Sequence, residues 1–114
     1  MAQRSRQLDD VFHALADPTR RAVLTRLAGG SSSVGDLAAP FDMALPSFMK
    51  HLRALESAGW ITTRKTGRVR TCTLERARFA EVEDWISEQR RVWTDRTDRL
   101  EHFVTAVDDK ERPR

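Results

Sequence analysis

Leu8, Val11, Phe12 and Leu15 stand three or four positions apart, the spacing of one helical face, and predict a first helix ending near Ala16. Asp17-Pro18 marks the next start. An aspartate accepts from free helix N–H groups, and proline fits a first turn where its missing donor is not needed. The second helix is expected to reach about Ala28, with Ala22, Val23, Leu24 and Leu27 as its buried side, and Gly29-Gly30 and the serines at 31–33 stop it. Ser33 with Asp36 three residues on forms a capping-box pattern with Asp in place of Glu, opening a third helix from Val34 to Ala39 anchored by Leu37. The segment from Pro40 to Ala44 cannot continue that helix, because proline lacks the amide donor and clashes with the preceding turn.

A fourth helix, about Pro46 to Ser57, follows that turn. Leu45, Phe48, Leu52 and Leu55 fall on one face and are expected to pack inward. This places Ser47, Lys50 and Arg53 outward, with Met49 and His51 on the flanks. Gly59 suits a left-handed helix terminator. Trp60 to Lys65 and Val69 to Leu74 are rich in Thr, Val and Ile and enclose Thr66-Gly67, which predicts a β-hairpin. The last helix spans about Phe79 to Val107, with Val82, Ile86, Trp93, Leu100, Phe103, Val104 and Val107 as an apolar stripe interrupted at Arg96 and Thr97. Residues 108–114 hold no apolar side chain and are expected to be disordered. The expected fold is therefore mainly α with a small β-hairpin wing. Helix, turn, helix and hairpin is the winged helix-turn-helix order, whose second helix is sized for the DNA major groove. One domain over residues 1–107 is expected.

Charge sharpens this picture. The net charge of +3 is modest, but between Ala44 and Glu75 six cations (Lys50, Arg53, Arg64, Lys65, Arg68, Arg70) face only Glu56 and Glu75, a net +4. From Arg76 to Arg114 nine positive and ten negative residues give −1. The excess sits on the predicted reading head, as phosphate contact requires. With 114 residues, one cysteine, no apolar run of bilayer length and no apolar N-terminal stretch, the chain reads as one cytoplasmic domain without a disulfide framework or membrane span. A last helix of that length cannot bury its whole stripe on so small a core. A homodimer supplies the missing surface, and its two-fold symmetry would match an inverted-repeat operator.

Three stretches, ALADPTRRAVLTRL (Ala14 to Leu27), LPSFMKHLRALESAGWI (Leu45 to Ile61) and TGRVRTCTLE (Thr66 to Glu75), resemble the ArsR/SmtB family of winged-helix repressors. Residues 8 to 75 carry the similarity, and KHLRALESAGWI is its most specific part. Trp93 followed by DRLEHF (Asp98 to Phe103) is similar to a branch lacking the metal-sensing cysteines. The resemblance implies a dimeric bacterial transcriptional regulator joined through its first and last helices. Leu8, Val11 and Phe12 would then meet Val82, Ile86, Trp93, Leu100, Phe103 and Val104 at the dimer interface. It further implies base-edge or phosphate contacts from Ser47, Met49 and Lys50, a family histidine at His51, and wing contacts from Arg68 and Arg70. Met49 stands where many relatives carry serine, which would exchange a polar base contact for an apolar one with a thymine methyl. Ala44 stands where a capping Ser or Thr is common, and many relatives carry a tyrosine near Cys72.

The third helix, VGDLAA, offers no thiol, and Asp95, Asp98 and His102 on the last helix make a poor transition-metal cage. No metal or other cofactor is expected. His51 reads as a phosphate contact or helix-edge support, with a packed imidazole as the alternative. Cys72 is either a thiol sensor or a small strand residue, and Trp85 with Trp93 lines an effector pocket or fills a dimer core. No Gly-rich phosphate loop, His-Glu metal motif or nucleophile elbow occurs, so an enzyme is not expected. The rival class is a winged-helix module that docks a protein and never reads sequence. Outward Lys50 and Arg53 and a basic wing favour duplex DNA, since a protein-docking face would display apolar anchors. The expected DNA-contacting set is Ser47, Met49, Lys50, His51, Arg53, Arg64, Lys65, Arg68 and Arg70. Operator, regulated genes, inducing small molecule or protein, and repression as against activation are not written in these residues.

Overall fold

The computed structural model describes the backbone of residues 2–111 and the side chains of 6–107. In chain order the elements are α1 (Ala2–Ala14), α2 (Pro18–Leu27), β1 (Ser32–Ser33), α3 (Val34–Ala38), α4 (Leu45–Ser57), β2 (Ile61–Thr66), β3 (Val69–Leu74) and α5 (Arg76–Glu111). They fall into two compact units, Met1–Ala80 and Glu81–Arg114. Among the described residues no helix is long and apolar enough to cross a membrane.

The helix starts follow their capping residues. Asp17 is extended and its Oδ2 accepts from the Arg20 amide at 3.0 Å, with Pro18 in the first turn of α2. Ser33 Oγ accepts from the Asp36 amide at 3.1 Å and starts α3. Ala44 makes no such bond for α4. That helix ends in a Schellman turn. The Trp60 amide reaches back to Leu55 O at 2.9 Å, the Gly59 amide bonds Glu56 O at 3.0 Å, and Gly59 takes φ +80°. Its missing Cβ also leaves space for the Arg78 guanidinium, which lies directly over it. Carbonyls at and just past the end of α1 accept from side chains of later elements: Val11 O from Trp60 Nε1 at 2.9 Å, Ala14 O from Arg20 Nε at 2.7 Å and, just beyond the helix, Leu15 O from Arg21 Nη1 at 2.6 Å.

The core of the first unit is built from Val11, Val23, Leu24, Leu27, Leu37, Phe48, Leu52, Leu55, Trp60, Ile61 and Cys72. Trp60 and Phe48 are its largest wholly buried side chains; the Trp60 ring meets Phe79 edge-on at 4.9 Å, and Phe48 stacks on Phe41 at 5.3 Å. Three expectations change here. Val11 is wholly buried in the core of the first unit, so it leaves the expected interface set, while Leu8 and Phe12 are half-buried. Leu45 is 56% exposed, because it precedes the stretch of α4 that the core covers. The wing is more than a hairpin: β1 pairs antiparallel with β3, Ser32 opposite Cys72 and Ser33 opposite Thr71, giving a three-stranded sheet in the order β1-β3-β2.

α1 ends at Ala14, two residues before the expected limit. α5 starts at Arg76 rather than Phe79 and continues through Glu111. The stretch expected to be disordered is thus helical over 108–111, and 112–114 lie outside the described residues. Within the second unit Trp85, Ile86, Val92, Trp93, Leu100, Phe103 and Val104 are exposed and Val82 is half-buried. Ile86, Trp93, Leu100 and Val107 stand seven residues apart, the repeat of a seam between helices.

Candidate nucleic-acid interface

α4 is held by its apolar face, Phe48, Leu52 and Leu55, which leaves the opposite face to solvent. Ser47, Lys50 and Arg53 are exposed there, and Met49 and His51 are half-buried on the two flanks. Turn chemistry then shapes the wing. Thr66 pairs with Val69, so Gly67 and Arg68 form a two-residue loop; Gly67 takes φ +63°, and among the described residues no non-glycine residue has positive φ. A lone positive φ at the first loop position is the type II′ turn, which matches the twist of paired strands.

Side chains alternate faces along a strand. Lys65 lies opposite Arg70 and Thr63 opposite Cys72, so these four share the face that carries the buried Cys72. Arg64 takes the other face and Arg68 the tip. The wing therefore presents cations in several directions, as a strip that straddles a sugar-phosphate backbone needs. Among the described residues no hydrogen bond or ion pair engages the side chains of Lys50, Arg53, Arg64, Lys65 or Arg68. Their charges are open to an external anion.

Arg70 differs from the rest. Its Nη1 donates to Thr63 Oγ1 at 3.2 Å, and that hydroxyl donates to Glu56 Oε2 at 2.6 Å. α4 and the wing are thereby tied across a cleft of about 260 Å³ lined by Met49, Leu52, Arg53, Glu56, Thr63 and Arg70. The tie links α4 to the wing, and it sets a carboxylate one hydroxyl away from one of the wing cations.

His51 is committed inward. Its Nδ1 lies 3.3 Å from Arg20 Nη1 and 3.5 Å from Asp17 Oδ2, within reach of both. The same Arg20 holds the end of α1, and the same Asp17 starts α2. Burial pushes the Asp17 carboxyl up, but the Arg20 amide bond and the charges of His51 and Arg20 outweigh it and leave the group below its usual value. This cluster seats α4 against the end of α1 and the start of α2. Of the readings open to His51, these contacts fit helix-edge support.

Neither this cluster nor the Glu56–Thr63–Arg70 tie was visible in the sequence, apart from the Asp17-Pro18 start signal. Asp17 and His51 are distant in sequence, and nothing in the pattern pairs them.

Cys72 is wholly buried. Desolvation first, and then the Glu56 charge, push its thiol up, against a smaller pull from Arg70. A thiol so placed carries little thiolate and no exposed sulfur, the reverse of a redox sensor's needs. Asp95, Asp98 and His102 are exposed along α5, and among the described residues no three His, Cys, Asp or Glu side chains gather as a metal site.

The helix-turn-helix domain family matches residues 15–64, which span α2, α3, α4 and most of β2. The chain is similar to the transcriptional repressor SdpR of Bacillus subtilis, 40% identical over 60 residues that cover 53% of this chain and 67% of that one. The crystal structure of an ArsR family transcriptional regulator is 59% identical, superposes with a TM-score of 0.77, and covers 79% of this chain and 93% of its own. A homodimeric winged helix-turn-helix DNA-binding domain from Mycobacterium bovis, a possible ArsR-family regulator, is 28% identical with a TM-score of 0.64 over 89% of this chain and 88% of its own. Fold, reading head and kinship agree, and the chain belongs to the ArsR family of helix-turn-helix transcriptional regulators.

Proposed function

We propose that this regulator is a homodimeric repressor that occupies an inverted-repeat operator and so excludes polymerase from a promoter. The observation that carries the reading is the joint display of Ser47, Lys50 and Arg53 on the outer face of α4 and of cations on both faces and the tip of the wing. In this reading Ser47, Lys50 and Arg53, with Met49 beside them, choose bases. Arg64, Lys65, Arg68 and Arg70 meet phosphates, which sets affinity and register without reading sequence. His51 acts through the helix it seats.

The dimer rests on α5. Trp93 is 71% exposed, Phe103 66% and Leu100 62%, a seam of large apolar side chains that a second copy would cover. Leu8 and Phe12 on α1 are the remaining candidates of that interface. The homodimeric relative from M. bovis supports this arrangement, and SdpR, a repressor, supports the sense of regulation. Two recognition helices related by a two-fold axis would meet half-sites about one helical turn, ~34–36 Å, or a multiple of it apart. As a protein acting on chromosomal DNA it would work in the cytoplasm.

Selection of bound duplexes from a random pool, at near-physiological salt and without added metal, tests the proposal. Enrichment of an inverted repeat is the expected result. Salt-sensitive binding with no enriched sequence would withdraw the operator, and an absence of binding would favour a protein-docking winged helix.

A further inference from the structure

We infer that Arg96 lies over the ring of the partner's Trp93, reciprocally, and that this contact sets two α5 helices antiparallel with the two-fold axis passing between Thr94 and Asp95. The inference deepens, and rests on, the reading of α5 as the dimer seam. Ile86, Trp93, Leu100 and Val107 recur every seven residues, and four positions before each of them stand Val82, Gln89, Arg96 and Phe103, the second row of a helical seam. Two members of that second row are polar. Arg96 is exposed, and among the described residues its guanidinium has no hydrogen bond or ion pair. The positions three and four residues away on either side hold Val92, Trp93, Arg99 and Leu100, so its own helix offers it no carboxylate. Once the stripe is covered, this cation needs a partner from outside its own helix.

Two orientations of a second copy would cover the stripe. In a parallel pair each seam residue meets its own copy, which stacks Arg96 on the partner's Arg96 and buries two uncompensated like charges. In an antiparallel pair the first row of one helix faces the second row of the other. The ends of the stripe, Val82 and Val107, then face each other when the axis passes through their midpoint, between Thr94 and Asp95. The same register sets Ile86 opposite the partner's Phe103 and Trp93 opposite the partner's Arg96, each twice. Full cover of the stripe and the pairing of rows are separate conditions, and this register meets both. A shift of one heptad would leave one end of the stripe uncovered. It would also bring Arg90 against the partner's Arg90, or Arg99 against the partner's Arg99, on the flanks of the seam. In the inferred register Arg90 faces the partner's Thr97 and Arg99 faces the partner's Val92. Trp93, 71% exposed, thus gains a cation on its ring, a favourable contact that strengthens as water leaves.

Ser87, Thr94 and Glu101 are exposed, also stand seven residues apart, and share one position outside the seam, so spin labels on single cysteines there test the register in the full chain. The unsubstituted chain controls for labelling at buried Cys72. Because the three lateral settings match, differences among the inter-subunit distances are axial. Pulsed electron paramagnetic resonance should give the shortest distance at Thr94, with axial separations of about 22 Å at Ser87 and about 20 Å at Glu101. Three equal distances would mean a parallel pair, and a longest distance at Glu101 alone or at Ser87 alone would mean a shifted register. Either result overturns the inference and leaves the dimer standing. No dipolar signal, together with a monomer by sedimentation, would overturn the dimer as well. Arg96→Gln should raise the dimer dissociation constant about five- to thirtyfold. In a Trp93→Leu background the same change should cost less than about twofold, since the ring it acts through is gone. Equal losses in both backgrounds would remove the contact between Arg96 and the partner's Trp93.

Discussion

Asp17→Ala should destabilise the first unit by about 1–2 kcal/mol, and Asp17→Asn by no more than about 0.5 kcal/mol near neutral pH. The larger part comes from one hydrogen bond. Asp17 Oδ2 accepts the Arg20 amide at 3.0 Å, and replacing such a cap with alanine typically costs about 1 kcal/mol, whereas asparagine caps nearly as well. The smaller part is the pairing with His51 at 3.5 Å, between side chains 27% and 24% exposed, where solvent screens most of the attraction. The pH dependence has a definite sign. The folded carboxyl lies below its unfolded value, so the ionised group adds stability that is fully present above an unfolded pKa of about 3.9 and is lost as pH falls through the folded value. The wild-type advantage over Asp17→Asn should therefore vanish in acid, and that over Asp17→Ala should shrink without vanishing. Urea unfolding followed by tryptophan fluorescence reads this at one fixed protomer concentration, because dimerisation would otherwise shift the midpoint. If Asp17→Asn proved as damaging as Asp17→Ala, or if the gaps widened in acid, the cap would not be the source of the effect.

Trp93→Ala should leave the fold intact and weaken self-association. At about 2 kcal/mol for each of two buried tryptophans, the dissociation constant rises on the order of a thousandfold, which sedimentation equilibrium would resolve. Cys72 should resist an aqueous thiol reagent in the native protein and react at the rate of unfolding, because its sulfur is buried and its thiol is pushed up. Fast labelling of native protein would mean the sheet opens around it. Glu56→Gln removes the carboxylate that faces Arg70 through Thr63, so binding to unrelated duplexes should tighten severalfold and become more salt-sensitive. A weaker, less salt-sensitive complex would show that the tie matters more for the angle of the wing than for its charge.

The elements that were legible in the sequence are those whose signals are local. Asp17-Pro18 and Ser33 with Asp36 announce helix starts, and the structure has side-chain caps at both. Gly59 announces a helix end, and the runs on either side of Thr66-Gly67 announce a hairpin. The two-residue strand Ser32–Ser33 escapes such reading, since it has too few positions to alternate and exists only by pairing with β3. Leu45 shows the limit of periodicity: spacing says which face a residue shares, not how far the core extends along the helix. Val11 shows the same limit from the other side, because the spacing that suits an interface also suits a core. At the reading head the outward cations were legible from helical and strand phase. The Asp17–Arg20–His51 cluster and the Glu56–Thr63–Arg70 tie were not, because long-range polar contacts follow from tertiary packing rather than from any run of residues.

The central claim is a division of labour, with α4 choosing bases and the wing binding phosphate. Binding of Lys50→Ala and Arg68→Ala to the enriched duplex and its single-base variants, each across a salt series, tests it most directly. Arg68→Ala should weaken every duplex alike and lower the salt slope by about one unit for each phosphate contact removed. Lys50→Ala should lose ~1–3 kcal/mol of preference at one base-pair position and leave the others unchanged. A change of base preference in Arg68→Ala, or a uniform loss in Lys50→Ala, would contradict the assignment.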